Sequence, residues 1–277
     1  MSQLPPSLHK LLCSNPVRAL EALCEIKMNE FQKQVVLSKS PRVVVLSPRQ
    51  SGKSTVLAAM ALRTLLTPDA SGKPGKVVVF APAIRQSTIL LDKCRSVLFR
   101  WGIQAPTCNR SEIVLENGAS IVSRPVKPSS RGENCSLMLL DELAFLETVA
   151  EEDVLSVAMP YLSRPGSRLI VSSTPRSLNG LFYRLWNEEN DFEKIRGDVT
   201  QVAHYDVNYL ASQREMLGEL YAREFDCSFS EIEEHGLFDE YCISKFLGEE
   251  ECKTEPSLAE PLESTLPVVE RARITLH

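Results

Sequence analysis

The sequence predicts an α/β fold in which a mainly parallel central sheet is flanked by helices. Four short runs rich in β-branched residues are almost wholly apolar, as expected of strands that are covered on both faces. Segments with helical spacing lie between these runs, a pattern typical of parallel sheets. The chain has 277 residues, of which 43% are hydrophobic, enough for a sizeable core. The four runs span residues 43–46, 77–80, 137–140 and 168–171.

The elements follow one another along the chain in an order that fits this class. Residues 1–27 predict a short helical lead-in. Asn117-Gly118 predicts a hairpin turn between the segments 112–115 and 119–123. A strand is predicted at 195–202. Helices are predicted at 55–66, 87–101, 179–189 and 208–223.

Charge and cysteine usage exclude several classes of protein. The net charge of −5 gives no global basic signature for nucleic acid or anionic membrane. The residues from Ser230 onward are strongly acidic, so the body is near neutral and can still carry one basic face. Eight cysteines without a C-x-x-C pair argue against a zinc site and favour reduced thiols. With no run of about 20 apolar residues, we expect a cytoplasmic protein that does not bind membranes.

The loop after the first predicted strand has the pattern of a phosphate-binding loop. The strand 43–46 runs into Ser47-Pro48-Arg49-Gln50-Ser51-Gly52-Lys53-Ser54-Thr55, where a helix begins. Backbone N–H groups and the helix dipole favour an anion at such a junction. We expect Ser51, Gly52 and Thr55 to bind ATP, with Lys53 on the β/γ-phosphates and the Ser54 hydroxyl on Mg²⁺. Ser47 stands where the general pattern has its first glycine, and a chance Gly-Lys-Ser loop is the alternative.

Two acidic residues follow the strand 137–140. Such a strand delivers carboxylates to the edge of the sheet where α/β folds bind ligands. Asp141 is expected to hold Mg²⁺, and Glu142 to orient and deprotonate the attacking water. The alternative is an ordinary polar strand exit.

A hydroxyl cluster ends the last of the four runs. Ser172, Ser173 and Thr174 precede Pro175, and beside the phosphate-loop strand they could contact the γ-phosphate or its attacking water. The alternative is a helix N-cap, because Ser or Thr before Pro commonly starts a helix.

Together these residues resemble the N-terminal ATPase of large terminase subunits, the motors that package DNA into phage capsids. The resemblance covers roughly residues 28–240. It implies a P-loop NTPase of the RecA/ASCE-like class over that range, after the lead-in 1–27. The acidic, proline-containing composition of residues 241–277 predicts a disordered tail. The motifs that carry it are Ser47–Ser54, Asp141–Ala144, Ser172–Pro175 with Gly180 and Phe182, and Phe31-Gln32.

The resemblance also implies roles for single residues. Arg49 matches the loop arginine that acts on the γ-phosphate in cis, and Arg131 resembles the arginine that reaches a neighbouring subunit's nucleotide. Gln32 is similar to the glutamine that contacts adenine, and Ser172–Thr174 to the coupling motif. A surface cation is the alternative for Arg131, and an exposed helix residue is the alternative for Gln32.

The implied function is an ATPase motor subunit that uses ATP and Mg²⁺ to move double-stranded DNA into a capsid. The implied partners are a small terminase subunit, a portal protein and like subunits in a ring, in the cytoplasm of a bacterial host. About 37 residues follow Glu240 and include no Asp, so we expect no nuclease activity from this chain. Two alternatives stay open: a helicase-like ATPase, which should carry a second α/β domain, and a truncated terminase-like protein that binds nucleotide with little motor activity.

Overall fold

An eight-stranded sheet forms the centre of the part of the chain that the structure, a computed structural model, describes. That part comprises residues 6–69, 71–82, 84–125, 134–146, 151–202 and 205–230. The strand order is β3-β4-β5-β2-β6-β7-β1-β8. From β5 to β8 every neighbouring pair is parallel, whereas β3 and β4 add an antiparallel edge.

The elements have the following bounds. The strands are β1 (Arg42–Leu46), β2 (Lys76–Phe80), β3 (Thr107–Cys108), β4 (Glu112–Val114), β5 (Ser120–Arg124), β6 (Leu137–Asp141), β7 (Arg168–Ser173) and β8 (Glu193–Arg196). The helices are α1 (Pro6–Ser14), α2 (Pro16–Cys24), α3 (Glu30–Leu37), α4 (Lys53–Leu66), α5 (Ile84–Arg100), α6 (Glu151–Tyr161), α7 (Gly180–Asn187), α8 (Val207–Leu217) and α9 (Glu219–Glu224).

Alternate residues of the parallel strands enter two separate cores, one on each face of the sheet. Val43 and Val45 of β1 lie in the core that includes the apolar residues of α4 and α5. Val44 and Leu46 lie in the core that includes residues of α6 and α7. Both faces are therefore covered, which confirms the predicted α/β class and explains why the strands read as continuous apolar runs.

The lead-in helices belong to the first of these cores. Leu12 of α1 and Leu20 and Leu23 of α2 are fully buried in the same cluster as Leu57 and Leu62 of α4. Burial of each leucine is worth about 1.5–3 kcal/mol relative to exposure. Residues 6–24 are thus part of the same hydrophobic core as the sheet.

The register of three adjacent strands positions the polar residues. Asp141, the last residue of β6, lies opposite Ser172 of β7, and Ser173 lies opposite Leu46, the last residue of β1. Since the three strands are parallel, the residues that follow them meet at one edge of the sheet.

Two predicted elements are wrong in extent. The strand predicted at 195–202 ends at Arg196, because the Asp198 side chain accepts hydrogen bonds from the backbone N–H and hydroxyl of Thr200 and forms a turn. The helix predicted at 208–223 is two helices, which Gly218, with φ of +51°, separates.

The predicted tail at 241–277 lies outside the described residues, and the two boundaries between the three predicted segments stay predictions. In the described ranges, no helix has both the length and the apolar character needed to cross a membrane.

Candidate active site

The loop between β1 and α4 surrounds the side chain of Lys53. Lys53 is buried, and its Nζ donates hydrogen bonds to the carbonyl oxygens of Ser47 at 3.3 Å and Pro48 at 2.9 Å. Gln50 and Gly52 have φ angles of +52° and +94°, a conformation that side chains disfavour and that turns the chain sharply into α4. The loop thus places a buried ammonium group beside the first turn of a helix.

Ser47, at the position of the missing glycine, fits because of two neighbours. Its hydroxyl and that of Ser51 are hydrogen-bonded at 3.0 Å, and Ser51 Oγ donates to the Pro48 carbonyl at 2.8 Å. Gly197, after β8, approaches so closely that a Cβ there would lie 2.6 Å from Ser47 Cβ. The glycine that follows the neighbouring strand β8 therefore provides the space that the serine fills.

Asp141 connects the loop helix to β7. Its Oδ2 accepts a hydrogen bond from Ser54 Oγ at 3.3 Å, and its Oδ1 accepts one from Ser172 Oγ at 2.7 Å. The carboxyl group is almost fully buried, and burial together with the neighbouring Glu142 carboxylate raises the pKa of Asp141 to about 6. A nearby cation would relieve this unfavourable charge.

Glu142 lies between Lys53 and the end of β7. Its Oε1 is 3.7 Å from Lys53 Nζ, and its Oε2 accepts hydrogen bonds at 3.3 Å from both Ser173 Oγ and the Thr174 backbone N–H. Its φ of +53° is uncommon for glutamate. The strained backbone is held by its surroundings, which is frequent at functional sites.

The hydroxyl cluster contacts both carboxylates, so the N-cap alternative is wrong. Helix α7 begins six residues after Thr174, and its N-cap is Asn179. Ser172, Ser173 and Thr174 are all buried beneath the sheet edge. We call Lys53, Ser54, Asp141, Glu142 and Ser172–Thr174 the active-site cluster.

Gln32 holds the loop from the side of α3. Asn29 caps α3 by accepting from the Gln32 backbone N–H, and Gln32 Oε1 accepts in return from the Asn29 backbone N–H. Gln32 Nε2 donates to the Gly52 carbonyl at 3.0 Å, and Asn29 Nδ2 donates to the Ser51 carbonyl at 3.2 Å. At 6% exposure, Gln32 is not the exposed helix residue of the alternative interpretation.

Arg49 is held by the last described helix. Its guanidinium forms an ion pair with Glu224 of α9, and its backbone N–H donates to the Glu224 carbonyl at 3.1 Å. The Tyr205 hydroxyl donates to the Arg49 carbonyl at 3.1 Å. The side chain of Arg49 is 61% exposed, whereas that of Glu224 is 13% exposed. Arg49 thus reaches solvent from an anchored backbone.

The remaining predicted residues lie in different places. Thr55 Oγ1, in the first turn of α4, accepts a hydrogen bond from Lys93 Nζ of α5 at 3.1 Å. Arg131 lies outside the described residues.

Sequence reasoning missed Asn29, Gly197, Tyr205 and Glu224 as residues that support the loop. The capping pattern Asn29-x-x-Gln32 was available as a signal for Asn29. No local pattern marks the other three, because their contacts are long-range.

The active-site cluster has the parts that phosphoryl transfer from a nucleotide requires. A buried cation and a helix N-terminus favour a phosphate group. A hydroxyl and a carboxylate, Ser54 and Asp141, are hard oxygen ligands suited to Mg²⁺. Glu142, hydrogen-bonded to Ser173 and Thr174, is a carboxylate, a group that can act as a general base for water.

Comparison with known proteins gives one matching family. The family model described as "Terminase large subunit, T4likevirus-type, N-terminal" matches residues 44–241, which is more than half of the chain. The match includes the loop, both carboxylates and the hydroxyl cluster, whereas Gln32 precedes it. No curated protein matches the chain.

Two of the solved structures with a similar fold are large terminases of phages. The large terminase ATPase domain of Thermus phage P74-26 is 19% identical with a TM-score of 0.61, and the match covers 76% of this chain and 97% of that one. The large terminase of a thermophilic bacteriophage, in complex with ADP, is 12% identical with a TM-score of 0.59. That match covers 73% of this chain but only 54% of the other. These likenesses confirm the predicted fold, an α/β domain with a mainly parallel central sheet flanked by helices.

Proposed function

Because the chain belongs to the family of T4likevirus-type terminase large subunits, N-terminal part, we propose that it is an ATPase motor subunit that moves double-stranded DNA into a viral capsid. The observation that carries this proposal is the meeting of Lys53, Ser54, Asp141, Glu142 and Ser172–Thr174 at one sheet edge. Each of these residues contacts another member of the set, and together they supply the cation, hydroxyls and carboxylates that ATP hydrolysis needs.

The residues of the active-site cluster divide the work on ATP. Lys53 supplies positive charge to the β/γ-phosphates, and the first turn of α4 supplies backbone N–H donors. Glu142 takes a proton from the water that attacks the γ-phosphorus. The bond between that phosphorus and the β/γ-bridging oxygen breaks, and ADP leaves with the bridging oxygen. Ser173 and Thr174 hold the Glu142 carboxylate in place during this step.

Ser54 and Asp141 fit a Mg²⁺ ion that arrives with the nucleotide. Both offer oxygen ligands, and the raised pKa of Asp141 is the mark of a buried carboxylate without enough positive charge nearby. When bound, Mg²⁺ supplies charge that offsets the charge on the phosphate oxygens. The coordinating groups on the protein side are then one hydroxyl and one carboxylate.

Two arginines complete the proposal. Arg49 neutralises γ-phosphate charge in cis, and Arg131 of a neighbouring subunit does so in trans, for which a planar charged fork is well suited. The contacts of Ser173 and Thr174 with Glu142 connect hydrolysis to β7 and thereby to α7. Adenine contacts would come from the α3 side of the loop, where Gln32 lies.

The proposed partners follow from the motor role. They are double-stranded DNA, a small terminase subunit, a portal protein and further copies of the chain in a ring, in the cytoplasm of a bacterial host. The chain spans about half the length of the phage terminase solved with ADP. That this chain takes part in DNA packaging, an activity of the longer protein, is therefore part of the proposal. The second candidate is a terminase-like protein that binds nucleotide with little motor activity.

Steady-state ATP hydrolysis by the purified chain tests the proposal. We expect Mg²⁺-dependent phosphate release that rises more than linearly with protein concentration and increases when duplex DNA is added. The Glu142→Gln variant should lose about 10²–10⁴-fold in rate and still bind ATP.

Two results would contradict the motor role. A wild-type rate equal to that of Glu142→Gln at every concentration would favour the nucleotide-binding alternative. A normal rate without any response to duplex DNA would separate ATP hydrolysis from DNA movement.

A further inference from the structure

A groove on the outer face of α5 carries three arginines. Its volume is about 480 Å³. Four of its five lining residues follow one another along α5 at intervals of three, four and three residues, so they form one stripe of the helix. The fifth comes from the turn between β3 and β4. The lining residues of this α5 groove are Arg85, Thr88, Asp92, Arg95 and Arg110.

The two walls of the α5 groove are fixed to each other by Arg95. Its guanidinium forms an ion pair with Asp92 and donates a hydrogen bond to the carbonyl of Asn109. Asn109 in turn stabilises the β3–β4 turn, since its Oδ1 accepts from the Ser111 backbone N–H at 3.0 Å. Arg95 Nε is buried and has no hydrogen-bond partner among the described residues.

The outer two arginines are free to bind a ligand. Arg85 and Arg110 are both exposed, and neither has an ion pair or hydrogen bond from its side chain within the described ranges. Among the described residues of the lining, Asp92 is the one acidic residue, and it is already paired with Arg95. The groove is therefore strongly positive in a chain whose net charge is −5.

The dimensions fit a nucleic-acid backbone. Arg85 and Arg95 are ten residues apart on the helix, which is about 15 Å at 1.5 Å per residue. That length spans about four base-pair steps of B-DNA at 3.4 Å per step along one strand. Arg85 lies in the first turn of α5, where the helix dipole adds positive potential.

We infer that the α5 groove binds the phosphate backbone of duplex DNA, with Arg85 and Arg110 as the main phosphate contacts. The inference rests on the proposed function, because it assumes that duplex DNA is the substrate. Arginines on a helix and a fixed turn contact phosphates without reading bases. Such contacts suit a protein that must hold DNA of any sequence.

Fluorescence anisotropy of a labelled, mixed-sequence duplex, titrated with the full chain at several salt concentrations, tests the inference. For Arg85→Gln with Arg110→Gln we expect about tenfold weaker binding. The slope of log affinity against log salt should shrink by about 1.8, or about 0.9 per lost phosphate contact. Lys10→Gln with Arg18→Gln, which removes two exposed cations from α1 and α2, is the matched control and should keep the wild-type slope.

A second variant is expected to bind duplex DNA more tightly than wild type. A misfolded protein would not produce this result. Asp92→Asn removes the acidic group from the groove and frees Arg95, so we expect about threefold tighter binding of the duplex. Weaker binding by Asp92→Asn, or equal losses in the arginine pair and its control, would overturn the inference.

The same variants separate this inference from the proposed function. If wild type hydrolyses ATP and binds duplex DNA but Arg85→Gln with Arg110→Gln binds it equally well, the groove assignment alone fails. If the wild-type chain neither hydrolyses ATP nor binds duplex DNA, both fail. A loss of ATP affinity in the arginine pair, with DNA affinity unchanged, would assign the groove to nucleotide and overturn the inference.

Discussion

The active-site cluster and the α5 groove carry similar charged groups but hold them in opposite ways. In the cluster, Lys53 and Asp141 are buried and hydrogen-bonded to fixed neighbours. In the groove, Arg85 and Arg110 are exposed without an ion pair in the described residues. Fixed, desolvated groups stabilise a transition state without reorganisation, whereas solvated cations bind a polyanion by charge. Burial thus distinguishes the proposed catalytic site from the proposed DNA-binding site.

Among the variants that test this contrast, the largest effect is expected at Lys53. Lys53→Met keeps most of the aliphatic volume but removes the charge, so ATP hydrolysis should fall by about 10²–10³-fold, as for other preorganised charge donors. Steady-state phosphate release measures this loss. Duplex affinity should stay within about twofold, because removal of one distant charge leaves the groove's phosphate contacts intact. A parallel loss of DNA affinity would mean that the two regions are not separate.

Close packing of Gly197 against the loop that surrounds Lys53 predicts the next largest effect. Gly197→Ala would place a Cβ 2.6 Å from Ser47 Cβ and 3.0 Å from the Phe31 ring, and we expect a loss of about 2–3 kcal/mol in unfolding free energy. Urea denaturation measures it. Adding Ser47→Gly removes the nearer contact and should restore part of the loss. No rescue would show that the Phe31 contact dominates.

Burial of Asp141 predicts a pH-dependent stability. Its pKa of about 6 in the folded chain, against 3.8 as the ordinary value, means that the folded state binds the proton more tightly. Wild type should therefore lose stability as the pH rises from about 4 to 6. With EDTA present, the stability advantage of Asp141→Asn over wild type should be about 2 kcal/mol larger at pH 8 than at pH 4. Denaturant titrations at both pH values measure the difference.

The control for that prediction lies in the groove. The side chain of Asp92 is 60% exposed, so Asp92→Asn should change the stability by less than about 1 kcal/mol in the same titrations. A stability gain from Asp92→Asn equal to that of Asp141→Asn would contradict the contrast in burial.

The smallest effect is expected at Glu224, the ion-pair partner of the exposed Arg49. Glu224→Gln keeps the shape of the side chain but removes the charge that holds the Arg49 guanidinium, so kcat for ATP should fall about fivefold with ADP affinity unchanged. Kinetics of ATP hydrolysis and an ADP titration measure the two quantities. In an Arg49→Gln background, Glu224→Gln should have no further effect. An independent loss would assign Glu224 a structural role only.

Local patterns explain how much of this could be predicted from sequence. The four apolar runs predict the central strands because each residue there is buried whichever face it points to. The active-site cluster was predictable in part, because the carboxyl ends of parallel strands share one edge of the sheet. That Asp141 and Ser172 contact each other also requires β6 and β7 to be neighbours, as the structure shows. Three contacts were not predictable: Arg49 with Glu224, Ser47 with Gly197, and Arg95 with the turn at Asn109. Each joins segments whose distance depends on how the loops close.

The α5 groove could not be predicted from the sequence either. The 3-4-3 spacing of Arg85, Thr88, Asp92 and Arg95 is visible in the sequence, yet it equally describes a solvated helix face. Only the position of Arg110 on the neighbouring turn makes it a groove.

The buried leucines of α1 and α2 bear on how the protein can be shortened. The family match begins at residue 44, which invites an expression clone that starts just before β1. Such a clone would uncover Leu57 and Leu62 of α4, because Leu12, Leu20 and Leu23 belong to the same cluster. Bare leucines of this kind promote self-association. Helices α1 and α2 thus shield part of this core from solvent, and crystallisation or binding trials should retain them.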